Sequence, residues 1–572
     1  MSKKVADVLI DALVSAGVKN CYGIVGDTMN QIAHSINRSS IDFVHVRHEE
    51  AGAFAAAAEA QLTGNLTACA GTCGPGSLHF INGLYEANRN RAPVILLATQ
   101  IVRRDLGFDS IQEVDFKDVF GGCSVYCDMI LTAEHAVRKT VAACQAALTK
   151  QGVAVLIIPA DVANGDAHSE PHYGIHVSRP VIRPNDSDLD SIAEILNASE
   201  AITIYAGSGC EGAHDEVVAT AERLKAPMAH TSRGKDFLEY DNPYNVGMTG
   251  IIGGAPGYHA VLNCDVLLLL GADFAWGQFY PNNAKIIQID INPTHLGRRH
   301  PVDIGVVGNI TETLKALLPR LKQHADNPFL KTSLHHVEKE KAAALTHYDD
   351  HSSAAISGVY LTKVINKYAA EDALFASDDG TPTVWMVRHI DTGGKRRTFA
   401  SLLHGTMAGG MPSALGLQKC QPDRQVIALC GDGGLSMLLG DLLTTVQENL
   451  PIKIAVYDNG KLGFVDIEQK AAGLVPVYTD LKNPDFGDVA KAMGLWGLSV
   501  SRAGELDASV QAWLAQKGPA LLHVKVKPME LVTPPTPFVQ PDAVIGMAVY
   551  GAKAMLQGKG KDVWEMVIDN IP

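Results

Sequence analysis

The sequence predicts an α/β protein of three consecutive doubly wound parallel-sheet domains, followed by a short C-terminal helical tail. Three observations carry that prediction. Short apolar runs of strand length alternate with amphipathic stretches of helical length, the pattern of parallel sheets covered on both faces. The alternation breaks around 178–188 and 322–357 and ends in a proline-rich stretch at 527–541. At 572 residues the chain is too long for one hydrophobic core. The domains are therefore expected at 1–180, 181–332 and 333–530, with the tail at 531–572.

In the first domain Val8, Leu9, Ala12, Leu13 and Ala16 recur at helical spacing over 5–16, and Gly17 stops the helix. A strand is expected over 21–25, a helix over 29–36, a strand over 41–46 and an alanine-rich helix over 49–62. Strands over 66–70 and 94–98 continue the series. In the second domain a strand over 201–205 turns into a helix over 216–224, with further strands over 266–270 and 285–289. The charged, His-rich segment 322–357 reads as a helical connection. The third domain carries a strand over 426–429, a helix over 436–448 and a strand over 452–457. Two short amphipathic patterns, 543–557 and 561–568, make up the tail.

The composition, 47% hydrophobic and 19% charged, is that of a soluble globular protein. No signal peptide is expected at the N-terminus, and the longest apolar runs fall far short of a membrane span, so a cytoplasmic protein is expected. A net charge of −14 argues against nucleic acid as a partner. The ten cysteines are scattered and read as reduced and mostly buried; Cys123 and Cys127 lack the spacing of a redox pair.

Gly431-Asp432-Gly433-Gly434 lies directly after a buried strand and before a helix. Glycines there let the backbone approach phosphate, and a helix N-terminus offers unpaired N–H groups. An aspartate beside a diphosphate would repel it unless a cation lay between them. Magnesium suits that place, because it takes oxygen ligands from protein and phosphate together. A second oxygen ligand, Asn459, stands 27 residues on, after the next strand. Both side chains would then sit at adjacent carboxyl ends of parallel strands, where open α/β sheets bind ligands. Upstream, Arg47-His48-Glu49-Glu50 marks a strand-to-helix junction, and both glutamates suit the positive helix end. Gly405-Thr406-Met407 occupies a glycine-rich loop before an apolar helix, where Met407 by itself reads as a core filler.

The GDG turn and the Asp458-Asn459 pair behind it resemble the motif of the thiamine-diphosphate (ThDP) enzymes, whose pair is two asparagines. The resemblance covers essentially the whole chain. RHEEAGAFAAAAEAQLTG, GTCGPGSLHFINGLYEA, YDNPYNVGMTG, KIIQIDINP and GTPTVWMVRH look most similar to bacterial pyruvate oxidases of the quinone-reducing type, pyruvate dehydrogenase (quinone). His404 within LLHGTM resembles that type as well. The resemblance implies two ThDP-binding-type domains, pyrimidine and diphosphate, flanking a Rossmann-like FAD domain. It implies that Asp432, Asn459 and the carbonyl of Lys461 hold magnesium on the diphosphate. Gly433, Gly434, Gly460, Leu462, Gly463, Phe464 and Val465 would line the coenzyme. Glu49 would be the carboxyl that activates the aminopyrimidine; Gly405 and Thr406 would meet the ring, and Met407 would wedge the coenzyme into a V. Phe464 would also aid electron transfer from the thiazolium, Glu468 would guide protons, and Gln112 would sit near the reactive carbon. Thr249, Gly250, Ile251 and Ile252, with Ala272, Asp273, Phe274, Ala275 and Trp276, would run along FAD, and Asp290 would hold its adenosine portion.

The implied reaction is oxidative decarboxylation of pyruvate to acetate and carbon dioxide through hydroxyethyl-ThDP, with electrons passed by FAD to a membrane quinone. Two rivals stand beside it: an oxidase that uses phosphate and oxygen to make acetyl phosphate, and an acetolactate-synthase-like carboligase with non-redox FAD. Gly207-Ser208-Gly209-Cys210-Glu211-Gly212 satisfies GxGxxG, but the strand-like run Met228-Ala229-His230-Thr231 ends without the acid that grips an NAD ribose, which sets NAD aside. The chain departs from the family in Asp458, in Ile111 where an aromatic residue precedes Gln112, and in Arg91 where a histidine is usual. The last two bear on the choice of 2-oxo acid and leave room for one larger than pyruvate. The resemblance further implies a homo-oligomer, a dimer of dimers, in which Glu49 and Asp432 meet across a subunit interface. It implies a tail that settles peripherally on the inner face of the cell membrane. The pattern of Trp564, Met566 and Val567 with Lys553, Lys559 and Lys561 suits an interfacial helix and a helix docked on the protein equally.

Overall fold

The computed structural model describes residues 3–168, 174–178, 180–348, 355–530 and 541–570. The first sheet holds β1 (Asn20–Ile24), β2 (Asp42–His45), β3 (Thr67–Gly71), β4 (Val94–Gln100), β5 (Tyr126–Met129) and β6 (Val153–Pro159). Their order is β2-β1-β3-β4-β6-β5, with every pairing parallel. β4 and β6 are buried at all seven positions each, which is why they read as unbroken apolar runs rather than alternating ones.

The middle sheet holds β7 (Ile202–Ala206), β8 (Met228–His230), β9 (Asn245–Met248), β10 (Val266–Leu270), β11 (Lys285–Asp290) and β12 (Ile304–Val307). Read from β9 the order is β9-β8-β7-β10-β11-β12, the dinucleotide-binding arrangement with its crevice between β7 and β10. The third sheet holds β13 (Leu374–Ser377), β14 (Arg397–Ala400), β15 (Val426–Gly431), β16 (Lys453–Asp458), β17 (Trp496–Val500) and β18 (Ala520–Lys525). Its order, β14-β13-β15-β16-β18-β17, repeats the connectivity of the first sheet strand for strand. The expected fold class is observed.

Helix Glu49–Thr63 of the first domain packs on helix Gly410–Cys420 of the third, and one buried core draws on both, including Ala55, Ala58, Ala414 and Leu417. The helices nearly touch: a Cβ on Gly416 would lie 1.9 Å from the Ala55 carbonyl oxygen. One sequence expectation is corrected here. The helix expected over 436–448 is two pieces, Asp432–Met437 and Leu442–Gln447, with a 3₁₀ turn at Leu439–Asp441 between them. Asp441 stands between the pieces, directly before the second, its Oδ1 accepting from Thr444 Oγ1 at 2.9 Å and from the Arg47 N–H at 2.8 Å.

Asn185 caps helix Asp186–Ala198 at the expected first break, and helix Pro328–Tyr348 occupies most of the second. Residues 531–540, most of the proline-rich stretch, lie outside the described residues, as do 349–354. The tail forms helices Pro541–Leu556, docked on helix Gly463–Ala471 of the third domain, and Gly560–Asn570, packed on the first of them. A Cβ on Gly546 would lie 1.7 Å from the Ala471 carbonyl oxygen, and Lys553 Nζ donates to the Gly473 carbonyl at 2.9 Å. Among the described residues no helix is long and apolar enough to cross a membrane. All ten cysteines are free of disulfides, eight of them buried.

Candidate active site

The third sheet reverses its strand order between β13 and β15, and the carboxyl ends there carry Asp378 and Asp432 on either side of the crevice. Asp432 heads its helix in a buried position. Its Oδ1 accepts from the Gly433 N–H at 3.0 Å, and its Oδ2 from the Gly460 N–H at 2.9 Å and Asn483 Nδ2 at 2.6 Å. Burial, and then the nearby Asp458 carboxylate, push Asp432 up to about 6. Asp458 shares the same two donors through Oδ1, both at 3.0 Å. Burial would raise it too, but His523, at 2.8 Å from Oδ2, and Lys525 bind that oxygen and hold Asp458 well below the usual carboxylate range. The acid in the first position of the pair is thus charged and compensated.

Asn459 follows, its Oδ1 accepting from the Lys461 N–H at 3.0 Å, with Gly460 between them at a φ of +68°. Lys461 pairs with Asp480 at 2.5 Å. Gly433 is enclosed by the expected neighbours: a Cβ there would lie 3.1 Å from Leu462 Cδ2 and 3.2 Å from Met407 Cε. A Cβ on Gly434 would lie 2.2 Å from Asp378 Oδ2, and one on Gly463 2.8 Å from Asn459 Nδ2. The structure therefore brings 405–407, 431–434 and 459–463 around one space, with the glycines closing on it.

Two residues of this site escaped the sequence reading. Asn483 sits in a loop whose Asn-Pro signals only a turn. Asp378 ends β13 before Asp379-Gly380 and a helix, the same strand–acid–glycine–helix grammar as the GDGG turn, so a signal existed. Burial pushes Asp378 up to about 7, and its Oδ2 is buried with no hydrogen-bond partner among the described residues. Asp379 is raised by burial, with the Glu468 charge adding to it.

On the first domain Glu49 is buried at the start of its helix, its Oε2 2.9 Å from His79 Nδ1, and the His48 and His79 rings stack at 4.7 Å. The expected Gln112 lies nearby: its Oε1 accepts from Cys73 Sγ at 3.3 Å, just before helix Pro75–Leu78. Ala51 and Phe54 face Ala408 and Leu438 of the third domain. Glu49 lies about 200° round the helix from Ala51, turned to Gly76 and His79 of its own domain. The two expected halves are thus joined within one chain, through Arg47 and Asp441, without Glu49 facing the GDGG turn. Phe464 is half-buried on helix Gly463–Ala471, while Val465, Glu468 and Ile111 are exposed, Ile111 at 90%.

In the middle domain the expected stretches abut: a Cβ on Gly250 would lie 3.2 Å from the Phe274 ring and 4.0 Å from Trp276. Thr249 is buried and Ile251 and Ile252 are half-buried, as Ala272 is buried and Ala275 and Trp276 exposed along the facing stretch. The Asp273 carboxylate is taken by Arg298 and Arg299, and despite burial their hydrogen bonds hold it down to about 2. Asp290, buried, accepts from the Asn292 N–H at 2.8 Å and pairs with His295 at 3.2 Å. Arg91 reaches across from the first domain, its Nη2 3.2 Å from His295 Nε2. The GxGxxG turn is closed by the protein itself: the Gly209 N–H donates to the Gly271 carbonyl at 3.0 Å, and a Cβ on Gly209 would lie 2.6 Å from Gly271 Cα. Its amide is spent on packing β7 against β10.

Two like-connected sheets around a middle dinucleotide-type sheet, with an Asp–Asn crevice at a strand reversal, define an enzyme class that grips a diphosphate coenzyme between outer domains. Comparison with known proteins gives that class its family. Three family signatures match in order: the N-terminal TPP binding domain of thiamine pyrophosphate enzymes over 3–119, the central domain over 189–317, and the C-terminal TPP binding domain over 378–524. A putative thiamine pyrophosphate-containing protein of Bacillus subtilis is 32% identical over 538 residues, 92% of each chain. A pyruvate oxidase of Lactiplantibacillus plantarum is 31% identical over 91% of this chain and 88% of its own. An acetolactate synthase isozyme 2 large subunit of Escherichia coli is 28% identical over 93% and 97%. The chain belongs to the thiamine pyrophosphate enzyme family.

Proposed function

We propose that the protein uses ThDP, magnesium and FAD to convert pyruvate and water to acetate and carbon dioxide, or a similar 2-oxo acid to the acid one carbon shorter, and passes the two electrons to a quinone. The observation that carries the FAD part is a buried polar set along the carboxyl ends of β7, β8 and β9. Tyr205 OH, His230 Nε2 and Thr249 Oγ1 are buried and find no hydrogen-bond partner among the described residues, beside the abutting 249–252 and 272–276 stretches. Unsatisfied buried donors are costly, so a polar ligand fits there. Arg233 is half-buried, and desolvation followed by the nearby Arg91 charge lowers its pKa, which suits an anionic diphosphate between them.

When bound, ThDP supplies a carbanion and an electron sink for loss of carbon dioxide, and FAD a two-electron acceptor. The protein's part is placement and proton control. Asp432, Asn459 and the Lys461 carbonyl would present hard oxygen ligands to magnesium, with Asn483 fixing Asp432 Oδ2. Glu49, held through Oε2 by His79, would keep a proton at the aminopyrimidine. Met407, standing against Gly433, would set the bend of the coenzyme. Gln112, Phe464 and Glu468 would close over the substrate, Glu468 giving and taking a proton beside Asp379.

Glu49 turns away from the third domain of its own chain, which supports a site completed by a second copy. The docked tail leaves Leu556 and Trp564 exposed at 88% and 65%, which supports peripheral binding to a lipid surface. The carboligase reading draws on the acetolactate synthase relative and predicts a flavin that stays oxidised. Mixing the holoenzyme anaerobically with pyruvate separates the two. We expect the flavin to bleach only when ThDP and magnesium are both present, and to recover its colour with quinone. A flavin that remains yellow while acetolactate forms overturns the oxidative reading.

A further inference from the structure

Helix Ile81–Arg89 of the first domain lies along the loop that leads to Gly405-Thr406-Met407, and grips it with one face. Arg89 Nη1 donates to the Leu403 carbonyl at 2.8 Å, and the Tyr85 and His404 rings stack at 5.9 Å. The Glu86 carboxylate, buried, accepts from Ser401 Oγ at 2.6 Å; that same oxygen accepts from the Thr406 N–H at 3.0 Å. Asn82 makes the most bonds. Its Nδ2 donates to Glu50 Oε1 at 2.7 Å and to Thr406 Oγ1 at 3.0 Å, while its Oδ1 lies 2.9 Å from His404 Nε2. Positions 82, 85, 86 and 89 are i, i+3, i+4 and i+7, one stripe of a helix.

The chemistry orients this hub. Glu50 is a carboxylate and only accepts, so the amide atom facing it is the nitrogen. The amide oxygen therefore faces His404, whose Nε2 carries the hydrogen. The Glu50 bond sets the sense of the amide, because turning it over would place the amide oxygen against the Glu50 carboxylate. Gly405, the first residue of the turn, has a φ of +72°, which glycine adopts without steric cost.

We propose that Asn82 is a positioning residue that ties the Gly405-Thr406-Met407 turn to Glu50 on the neighbouring helix, so that the turn, and with it the Met407 wedge, is held in one placement. The inference rests on the ThDP reading above. It assigns work to three residues that the family motifs leave unassigned: Asn82, Glu50 and His404.

The test uses the full-length protein with FAD bound. Binding of ThDP with magnesium is followed by quenching of intrinsic fluorescence and by the near-ultraviolet circular dichroism of the aminopyrimidine. Asn82→Ala is expected to weaken ThDP binding about tenfold or more and to diminish the dichroism band, at unchanged flavin content. Asn82→Asp places a carboxylate against Glu50 and is expected to do the same. Adding Glu50→Gln restores a donor–acceptor pair and is expected to recover most of the affinity. Wild-type affinity and dichroism in Asn82→Ala overturn the proposal. Should Asn82→Ala not fold, the Asn82→Asp and Asn82→Asp/Glu50→Gln pair decides, and no recovery in the double variant counts against it. A wild-type protein that fails to bind ThDP refutes the functional reading instead.

Discussion

Asp432 and Asp458 are neighbouring buried carboxylates whose surroundings drive them apart: one rises to about 6, the other is held charged by His523 and Lys525. The consequence is a pH dependence with a definite sign. Magnesium binds the ionised form of Asp432, so a raised pKa means that the metal must displace a proton. Metal-dependent ThDP binding is expected to strengthen as pH rises through about 6, and to release a proton at pH 5.5 that it no longer releases at pH 8. Calorimetry in buffers of different ionisation enthalpy measures that proton directly; equal release at both pH values contradicts the assignment. Asp432 and Asn459 were legible because each follows its own strand within one βαβ unit. Asn483 was not, because its partners lie 51 and 25 residues away and only folding makes them neighbours.

At the scale of elements, the helix that carries Phe464 and Glu468 is also the surface on which the tail rests. Lys470 Nζ is buried in that seam, paired with Asp466, 3.1 Å from Met529 Sδ and 5.5 Å from the Tyr550 ring centre. Gly546 allows the closest approach, and Gly546→Val would drive a branched side chain into the Ala471 carbonyl. Overpacking of this kind costs about 1–3 kcal/mol, enough to lift a tail held by few contacts. Limited proteolysis is expected to cut the variant within 541–570 faster than wild type while the three sheets stay resistant. Equal rates would mean that the tail is not seated through this glycine. The amphipathic pattern announced both tail helices but not their resting place, since an apolar face specifies only that something covers it. Similarly, periodicity ran one helix through 436–448, where Asp441 stands between two pieces, bonded to Arg47 of another domain.

At the scale of the molecule, the outer sheets share one connectivity and meet through helices Glu49–Thr63 and Gly410–Cys420, yet Glu49 faces its own domain. A site shared between two copies makes a quantitative prediction. Glu49→Gln and Asp432→Asn are each expected to be inactive alone. Mixed and reassembled in equal amounts, they should regain about a quarter of wild-type activity, because half the dimers are hybrids and each hybrid has one intact site. No recovery after subunit exchange, verified by mass, would place the whole site within one chain.

What the sequence determined by itself was everything encoded over short distances. Strand–helix alternation specified three parallel sheets, and glycine–acid turns at strand ends specified the diphosphate crevice, because both depend on a few consecutive residues and on backbone geometry. Tertiary structure alone decided which strand lies beside which, and hence that the Gly209 amide of GSGCEG is taken by the Gly271 carbonyl. It also decided that Asp458 is kept charged, that Arg91 meets His295, and that Asn82 joins two domains. Those outcomes rest on side chains brought together from distant parts of the chain, and burial sets their strength; neither is written in any local pattern.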